Sequence, residues 1–436
     1  MNVRPQPVEP VRPVHRSHQL RLLAGGAGGA GAGRDRSPAG ERTGGLSIRQ
    51  GLLAVVVALC AVGLVMVLSA SAYTSLQDYG SVWSIFERQV LWMVLGSLVL
   101  VVSMRIPYHR WRRLRVPMLL GTLALLLAVL VPGVGVSSGG SSRWIGFGQF
   151  RIQPSELMKL AIAVFAADLL SRRADRVDRA GAVVVPLLAL LGLSGLLVME
   201  QPDMGTAIVL TCIVFGLMFA GGVPVATVMK TLAGVAVLGV VFGLAEPYRR
   251  ARLLSFINPM AHHNGSGYQV VQSLVGLGNG HLFGLGLGNG HQKWGLLPNP
   301  HTDFIFSVIG EETGLVGTLV VLALFFALAW YGLRASGRAP DRFGGLLAVA
   351  CVCWITSQAV INMGAVMGAL PVTGIPLPFV SFGGSSLVIT MAAAGILVNI
   401  AGSERRRSPA TAGVVGHGPG RPAAVPVARA RPDGAR

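Results

Sequence analysis

Charge is scarce in this chain: 12% of its 436 residues are charged, and acids are outnumbered, 18 Asp and Glu against 36 Lys and Arg. Soluble domains carry about 25% charged residues, so a chain that is 52% hydrophobic is not an ordinary water-soluble globule. Cysteine is almost missing. Cys60, Cys212, Cys351 and Cys353 sit inside apolar runs, and the Cys-x-Cys pair lacks the spacer and the second half of a zinc site, so packing is their expected role. Neither a Walker nor a Rossmann glycine motif is present, which excludes nucleotide chemistry of those kinds and leaves any bond-forming substrate to carry its own leaving group.

What is present is apolar length. A helix needs about 20 mainly apolar residues to cross a hydrocarbon core of roughly 30 Å. Ten runs are expected to do so: 51–72, 85–104, 116–133, 155–171, 182–199, 206–222, 224–245, 304–332, 344–367 and 385–402. The expected fold class is an all-α integral membrane protein of about ten transmembrane helices. The first run lies too far into the chain to be a removable signal peptide and reads as an anchor.

A net charge of +18 suggests nucleic acid, but the basic residues sort by side of the membrane. Eight precede residue 50, five lie in 105–115, four in 172–179, three in 334–342 and seven after 402. Placing all five segments in the cytoplasm satisfies the positive-inside bias, which gives an N-in, C-in topology and no nucleic-acid partner. Segments 1–48 and 403–436 are rich in Arg, Pro, Gly and Ala. They bury too little apolar surface to offset their ordering entropy and are expected to be disordered basic cytoplasmic tails around a membrane domain, 49–402.

The same topology gathers polar groups outside. An extracytoplasmic loop, 246–303, joins the seventh and eighth runs and is far longer than usual connections. It holds GLGNGH twice, at 276–281 and 286–291, whose N–H groups either cradle phosphate oxygens or belong to a flexible loop. Arg143, Trp144, Glu156 and Lys159 fall near the outer end of the fourth run, and Asp203 between the fifth and sixth. Asp303 stands at the mouth of the eighth, with Glu311 and Glu312 about two turns deeper at ~1.5 Å per residue.

Carboxylates at membrane depth are costly unless paired or hydrated. Glu156, Asp203, Glu311 and Glu312 are therefore expected to share an outward polar cavity, or to be neutralised by Lys159. Asp303 is the candidate for chemistry; the competing explanation is that Thr302 or Asp303 caps the helix. Arg249, Arg250 and Arg252 break the positive-inside pattern, and their guanidinium forks suit pyrophosphate. Trp144 and Trp294 read first as interfacial anchors and second as surfaces for a sugar ring. Segment 362–387 interrupts an apolar run with Pro371, Pro376, Pro378, Gly383 and Gly384, as broken helices lining a cavity do. Its Ser381, Ser385 and Ser386 either bind ligand or cap the tenth helix.

In order, SRWI, QPSELMKLA, EQPDMGTA, PYRRARL, GYQVVQSL, GLGLGNGHQKWGLLPNPHTDFIFSVIGEE and PLPFVSFGGSSL make residues 50–402 resemble the SEDS family of shape, elongation, division and sporulation proteins, and its cell-division type most. The resemblance implies a peptidoglycan glycosyltransferase that polymerises lipid II, an undecaprenyl-pyrophosphate-linked disaccharide pentapeptide. It also implies a multi-pass protein of the bacterial plasma membrane at the division septum, with its active site on the extracytoplasmic face. A class B penicillin-binding protein transpeptidase and other divisome membrane proteins are the implied partners. Asp303, in HTDF, falls on the family's essential aspartate, the one general base that an inverting transfer requires. Arg143, Lys159 and the three loop arginines would stabilise the departing pyrophosphate. A divalent cation, magnesium or manganese, is the one candidate cofactor, and the sequence identifies no ligands for it. Gln269, Gln272, Ser273, Lys293 and His301 lie in the same motifs and are expected substrate contacts. Asn299-Pro300 stands where the family often has Glu-Ala. An elongation-type polymerase, a lipid II flippase and a non-catalytic scaffold remain alternatives; a flippase needs a polar path to the cytoplasmic end, where only Asp168 and Lys230 interrupt the apolar inner halves.

Overall fold

The computed structural model describes residues 46–403, apart from 139, 140, 149, 178, 263, 264 and 266. All but the innermost residues of the two expected tails therefore lie outside the described residues.

Each of the ten apolar runs coincides with a helix: α1 (Ile48–Tyr79), α2 (Ser84–Arg105), α4 (Arg115–Leu130), α5 (Pro154–Arg172), α6 (Ala180–Met199), α7 (Met204–Ala220), α8 (Val225–Ala245), α11 (Ile305–Gly337), α12 (Arg342–Val366) and α13 (Gly384–Ser403). A short α3 (His109–Arg113) precedes α4. Seven of these helices, α1, α2, α6, α8, α11, α12 and α13, are long and apolar enough to cross a membrane, while α4 and α7 are shorter apolar helices. Local sequence sets several starts. Ser47 and Gln50 form a reciprocal capping box before α1, with Gln50 N–H donating to Ser47 Oγ at 3.3 Å and Ser47 N–H to Gln50 Oε1 at 3.1 Å. Pro154 occupies the first position of α5, where a missing N–H costs nothing.

Helices α5, α7, α12 and α13 supply much of the buried core, including Met158, Val209, Trp354 and Ile396. Helix α8 stands at the periphery with only Val228 and Gly243 buried. Large apolar side chains such as Val57, Leu98, Phe219, Val237 and Phe326 are exposed, a surface that requires lipid around it.

Three features depart from expectation. The chain is not purely α: between α4 and α5 lies a three-stranded antiparallel sheet in the order β1 (Val136–Ser138), β2 (Ser141–Phe147), β3 (Phe150–Ile152). Aromatic and β-branched residues alternating with polar ones and glycine suit a pleated ribbon better than a helix. The long segment 246–303 is not a plain loop either, since it forms α9 (Pro247–Ile257) and α10 (Tyr268–Asn279). Finally, the eighth run is two helices. Gly314, at φ 67° and ψ −163°, breaks α11 into 305–313 and 315–337.

The glycine-rich strand of chain fills that break. Leu315 N–H donates to His281 C=O at 2.9 Å, and the N–H groups of Leu285 and Gly286 donate to the carbonyls of Glu311 and Glu312, both at 3.0 Å. A side chain at Gly314 would run into the backbone of Leu282 and Gly284, so the position demands glycine for room as well as for its left-handed φ. Residues 315–337 alone reach about 34 Å at 1.5 Å per residue, enough to cross a hydrocarbon core.

Candidate active site

Asp303 sits in the turn 301–304 that leads into α11. The helix N-cap is Phe304, with no side-chain cap bond, so neither Thr302 nor Asp303 plays the capping role. Thr302 Oγ1 instead donates to Asp303 Oδ1 at 2.8 Å. The turn is held from α12, where Asn362 Nδ2 donates to the carbonyls of Asp303 and Ile375, both at 2.8 Å. One turn earlier, on the same helix face, Gln358 Nε2 donates to Pro376 C=O at 2.9 Å. Two amides on one helix thus fasten the proline-broken segment beside Asp303.

Further bonds shape that segment. Ser381 Oγ accepts from Leu377 N–H at 2.8 Å, and Phe382 N–H donates to His301 C=O at 2.9 Å. Phe379 is held at φ 65° and is 1% exposed, a strained conformation that its surroundings must impose. Asp303, Asn362, Val366, Thr373, Gly374 and Ile375 line a narrow cleft. Gly374 has φ +70°, and a Cβ there would lie 4.0 Å from Asp303 Oδ2, so its absence leaves the space before the carboxylate open.

Burial raises the Asp303 carboxyl above the ordinary aspartate range, while the Thr302 hydrogen bond and the Arg252 guanidinium pull the other way. A carboxylate whose pKa is raised is a better proton acceptor. His301 is pushed down to about 4 by burial, with Asp78 opposing. Its imidazole is therefore neutral at physiological pH; it meets Phe382 edge-on at 5.6 Å, and its buried Nδ1 has no partner among the described residues.

The expected phosphate-binding residues separate. Arg252 is half-buried, and its Nη1 donates to Val372 C=O at 3.4 Å, which sets it at the cleft. Arg250 is exposed, and the side chain of Arg249 lies outside the described residues. Arg143 is committed elsewhere: Nε and Nη2 donate to the carbonyls of Gln201 and Pro202 at 2.8 and 2.5 Å, tying the sheet to the α6–α7 connection. Trp144, in β2, is half-buried, and Trp294 is exposed with its ring 5.5 Å from that of Tyr73.

The carboxylates do not share one cavity, because each is satisfied where it lies, as buried charge in a low dielectric must be. Lys159, fully buried, sits 2.7 Å from Glu156 Oε2, donates to Gln358 Oε1 at 2.8 Å and lies 5.2 Å from the Trp354 ring centroid. These contacts hold Lys159 inside the helix packing. Asp203 caps α7, accepting from Thr206 N–H at 3.1 Å, and also takes bonds from Thr206 Oγ1 and Gln153 Nε2 at 2.8 Å each. Glu311 accepts from the N–H groups of His291 and Gln292 at 2.9 and 3.1 Å, and Glu312 from Gly288 N–H at 3.1 Å. The glycine-rich cradle is real, but two of the protein's own carboxylates occupy it in place of phosphate.

Other expected contacts are likewise internal. Lys293 pairs with Glu312 at 2.7 Å and donates to Ser69 Oγ at 2.9 Å. Ser273 Oγ donates to Val366 C=O at 2.8 Å, and Ser385 Oγ accepts from Gln153 N–H at 3.3 Å. Gln269 and Gln272 are half-buried on α10. Among the described residues no three His, Cys, Asp or Glu side chains come together. Asp168 is enclosed by Arg112, Arg115 and Arg172 at 2.5, 2.8 and 2.8 Å, and Lys230 is exposed. Two residues of the cleft escaped the sequence reading, Asn362 and Thr373. The signals were a lone amide inside an apolar run and a hydroxyl inside a proline–glycine stretch.

The family model of cell cycle proteins named for FtsW, RodA and SpoVE matches residues 50–406. A probable peptidoglycan glycosyltransferase FtsW of Geobacter metallireducens is 40% identical over 353 residues, covering 80% of this chain and 93% of that protein. Stage V sporulation protein E of Bacillus subtilis is also 40% identical, covering 80% of this chain and 95% of its own. Among solved structures, a chain from work on the structural coordination of polymerization and crosslinking by a peptidoglycan synthase complex superposes with a TM-score of 0.68 at 29% identity, covering 81% of this chain and 97% of that one. The rod shape determining protein RodA of Thermus thermophilus gives 0.60 at 28% identity, with 82% and 97% covered.

Proposed function

The chain belongs to the FtsW, RodA and SpoVE family of cell cycle proteins, and from that membership we propose that it is a peptidoglycan glycosyltransferase whose general base is Asp303. The observation that carries the residue assignment is a carboxyl group raised by burial, spared from capping its helix, and open to a cleft whose front wall lacks a side chain.

In this reading the substrate is lipid II, and the donor sugar carries undecaprenyl pyrophosphate on its anomeric carbon. The 4-hydroxyl oxygen of the acceptor sugar attacks the anomeric carbon of the donor, the bond from that carbon to the pyrophosphate oxygen breaks, and configuration inverts. Asp303 takes the hydroxyl proton, a contribution of about 10²–10⁴-fold. Undecaprenyl pyrophosphate departs with the bonding electrons, and Arg252 supplies positive charge where its negative charge grows. Arg143, Lys159 and Lys293 are left out of this step because, unlike Arg252, they hydrogen-bond to residues that do not line the Asp303 cleft.

All ten helices cross the bacterial membrane, N-in and C-in, with α9, α10 and Asp303 on the extracytoplasmic side and basic tails in the cytoplasm. The FtsW relatives favour a septal role beside a class B penicillin-binding transpeptidase and other division proteins. A flippase is disfavoured because Asp168, the buried charge at the other end of α5, is closed off by three arginines.

Purified protein, with and without its penicillin-binding partner, supplied with labelled lipid II and read out on a gel, tests the proposal. Asp303→Asn is expected to fold and insert yet make no polymer. Polymer at the wild-type rate from that variant removes Asp303 from the mechanism.

A further inference from the structure

Two buried polar atoms at the Asp303 cleft have no partner among the described residues, Asn362 Oδ1 and Thr373 Oγ1. Asn362 is 2% exposed and Thr373 5%, and both line the cleft with Asp303. Buried polar groups in native proteins are hydrogen-bonded in the great majority of cases. Two such atoms beside a candidate base carry hydrogen-bonding capacity that a hydroxyl entering the cleft would meet.

The chemistry of the pair is fixed by its surroundings. Asn362 Nδ2 already serves two carbonyl oxygens; exchanging nitrogen and oxygen would set an acceptor against two acceptors. The oxygen is therefore the end left over, and it can only accept. The Thr373 hydroxyl can donate or accept. Gly205 approaches Thr373 from behind, so closely that a methyl added there would lie 3.0 Å from Thr373 Cβ. Val366, Val372 and Ile375 make the remaining wall apolar.

We propose that Asn362 and Thr373 form the subsite for the acceptor-sugar hydroxyl that neighbours the attacking one. A neighbouring hydroxyl needs one acceptor for its proton and one donor for its oxygen, which Asn362 Oδ1 and Thr373 Oγ1 provide, while Asp303 takes the proton of the attacking group. The pair then decides which hydroxyl of the ring meets the base. Asn362 is also a positioning residue, since its amide nitrogen holds the backbone of Asp303. The proposal rests on Asp303 being the base.

The test uses the full-length protein with its partner and two acceptors, the natural lipid-linked sugar and one with the neighbouring hydroxyl replaced by hydrogen. On unaltered protein the deoxy acceptor is expected to lower kcat/KM about tenfold or more, the scale of leaving buried groups unpaired. Thr373→Val is expected to lose a similar factor on the natural acceptor, mostly as raised KM, and to lose little more on the deoxy acceptor. Thr373→Ser should restore activity, and the acid limb of the pH profile should stay in place. Equal use of both acceptors by unaltered protein, a measurement that needs no variant to fold, overturns the subsite. So does Thr373→Val with wild-type kinetics, which would mean that only water fills the pocket. Failure of the base assignment is read separately, as polymer from Asp303→Asn.

Discussion

Lys293 Nζ lies 2.7 Å from Glu312 Oε1, and both side chains are buried. Ser69 Oγ on α1 joins the same carboxylate at 2.7 Å, so one ion pair fastens the glycine-rich chain to two helices. Removing one partner of a buried pair typically costs about 3–5 kcal/mol. Lys293→Met should lower the unfolding temperature and speed amide hydrogen exchange across 285–293, with Lys293→Met/Glu312→Gln recovering much of both. Unchanged exchange in the single variant would show that the pair does not hold the loop.

A second pair, Glu156 and Lys159 at 2.7 Å, links α5 to α12 through Gln358. Lys159→Met should destabilise the protein by about 3–5 kcal/mol in thermal unfolding in detergent, and pairing it with Glu156→Gln should return most of that loss. Once folded, the double variant should still make polymer, because Lys159 lies outside the cleft. A folded double variant with no activity would assign Lys159 a chemical role after all.

The raised Asp303 carboxyl has two consequences of known sign. As a base it must be ionised, so kcat/KM should fall as pH drops through its pKa, with the acid limb lying above the ordinary value of about 3.9. Arg252→Gln removes a group that lowers this pKa, so the limb should move up further. In the folded state the protonated form is favoured relative to the unfolded chain, so the ionised carboxyl weakens the fold above that pKa. Asp303→Asn should accordingly unfold at the same or a higher temperature at neutral pH. An acid limb at or below pH 3.9 contradicts the burial argument.

Gly374 can be tested by adding one carbon. Gly374→Ala forces a side chain into a left-handed conformation, at about 1–2 kcal/mol, and sets its Cβ about 4.0 Å from Asp303 Oδ2. The variant should fold, with activity reduced mainly through KM. Wild-type KM would mean that substrate approaches the carboxylate from another side.

Helix positions were legible because apolar runs near 20 residues long have one stable solution in lipid. The break at Gly314 was not, since glycine inside an apolar run reads as tolerated until a second chain is seen to cross there. The Lys159–Glu156 pair was legible as an alternative because the two stand three residues apart on one helix. The engagements of Lys293 and Arg143 were not, because sequence shows charge and not who is near it; Ser69 and Gln201 are 224 and 58 positions away. Asp303 stood out because a carboxylate before an apolar helix invites two explanations, and the cap geometry disposed of one. Asn362 and Thr373 were invisible as a pair, because only the folded segment 371–383 brings them to one cleft.

The interruption at Gly314 divides two duties along one stretch of chain. Hydrophobic matching to the lipid falls on 315–337, where tilt can absorb a few ångströms of mismatch, whereas the turn bearing Asp303 is anchored to α12 by Asn362. Thickening or thinning the bilayer would therefore act on 315–337 and leave Asp303 in register with its cleft.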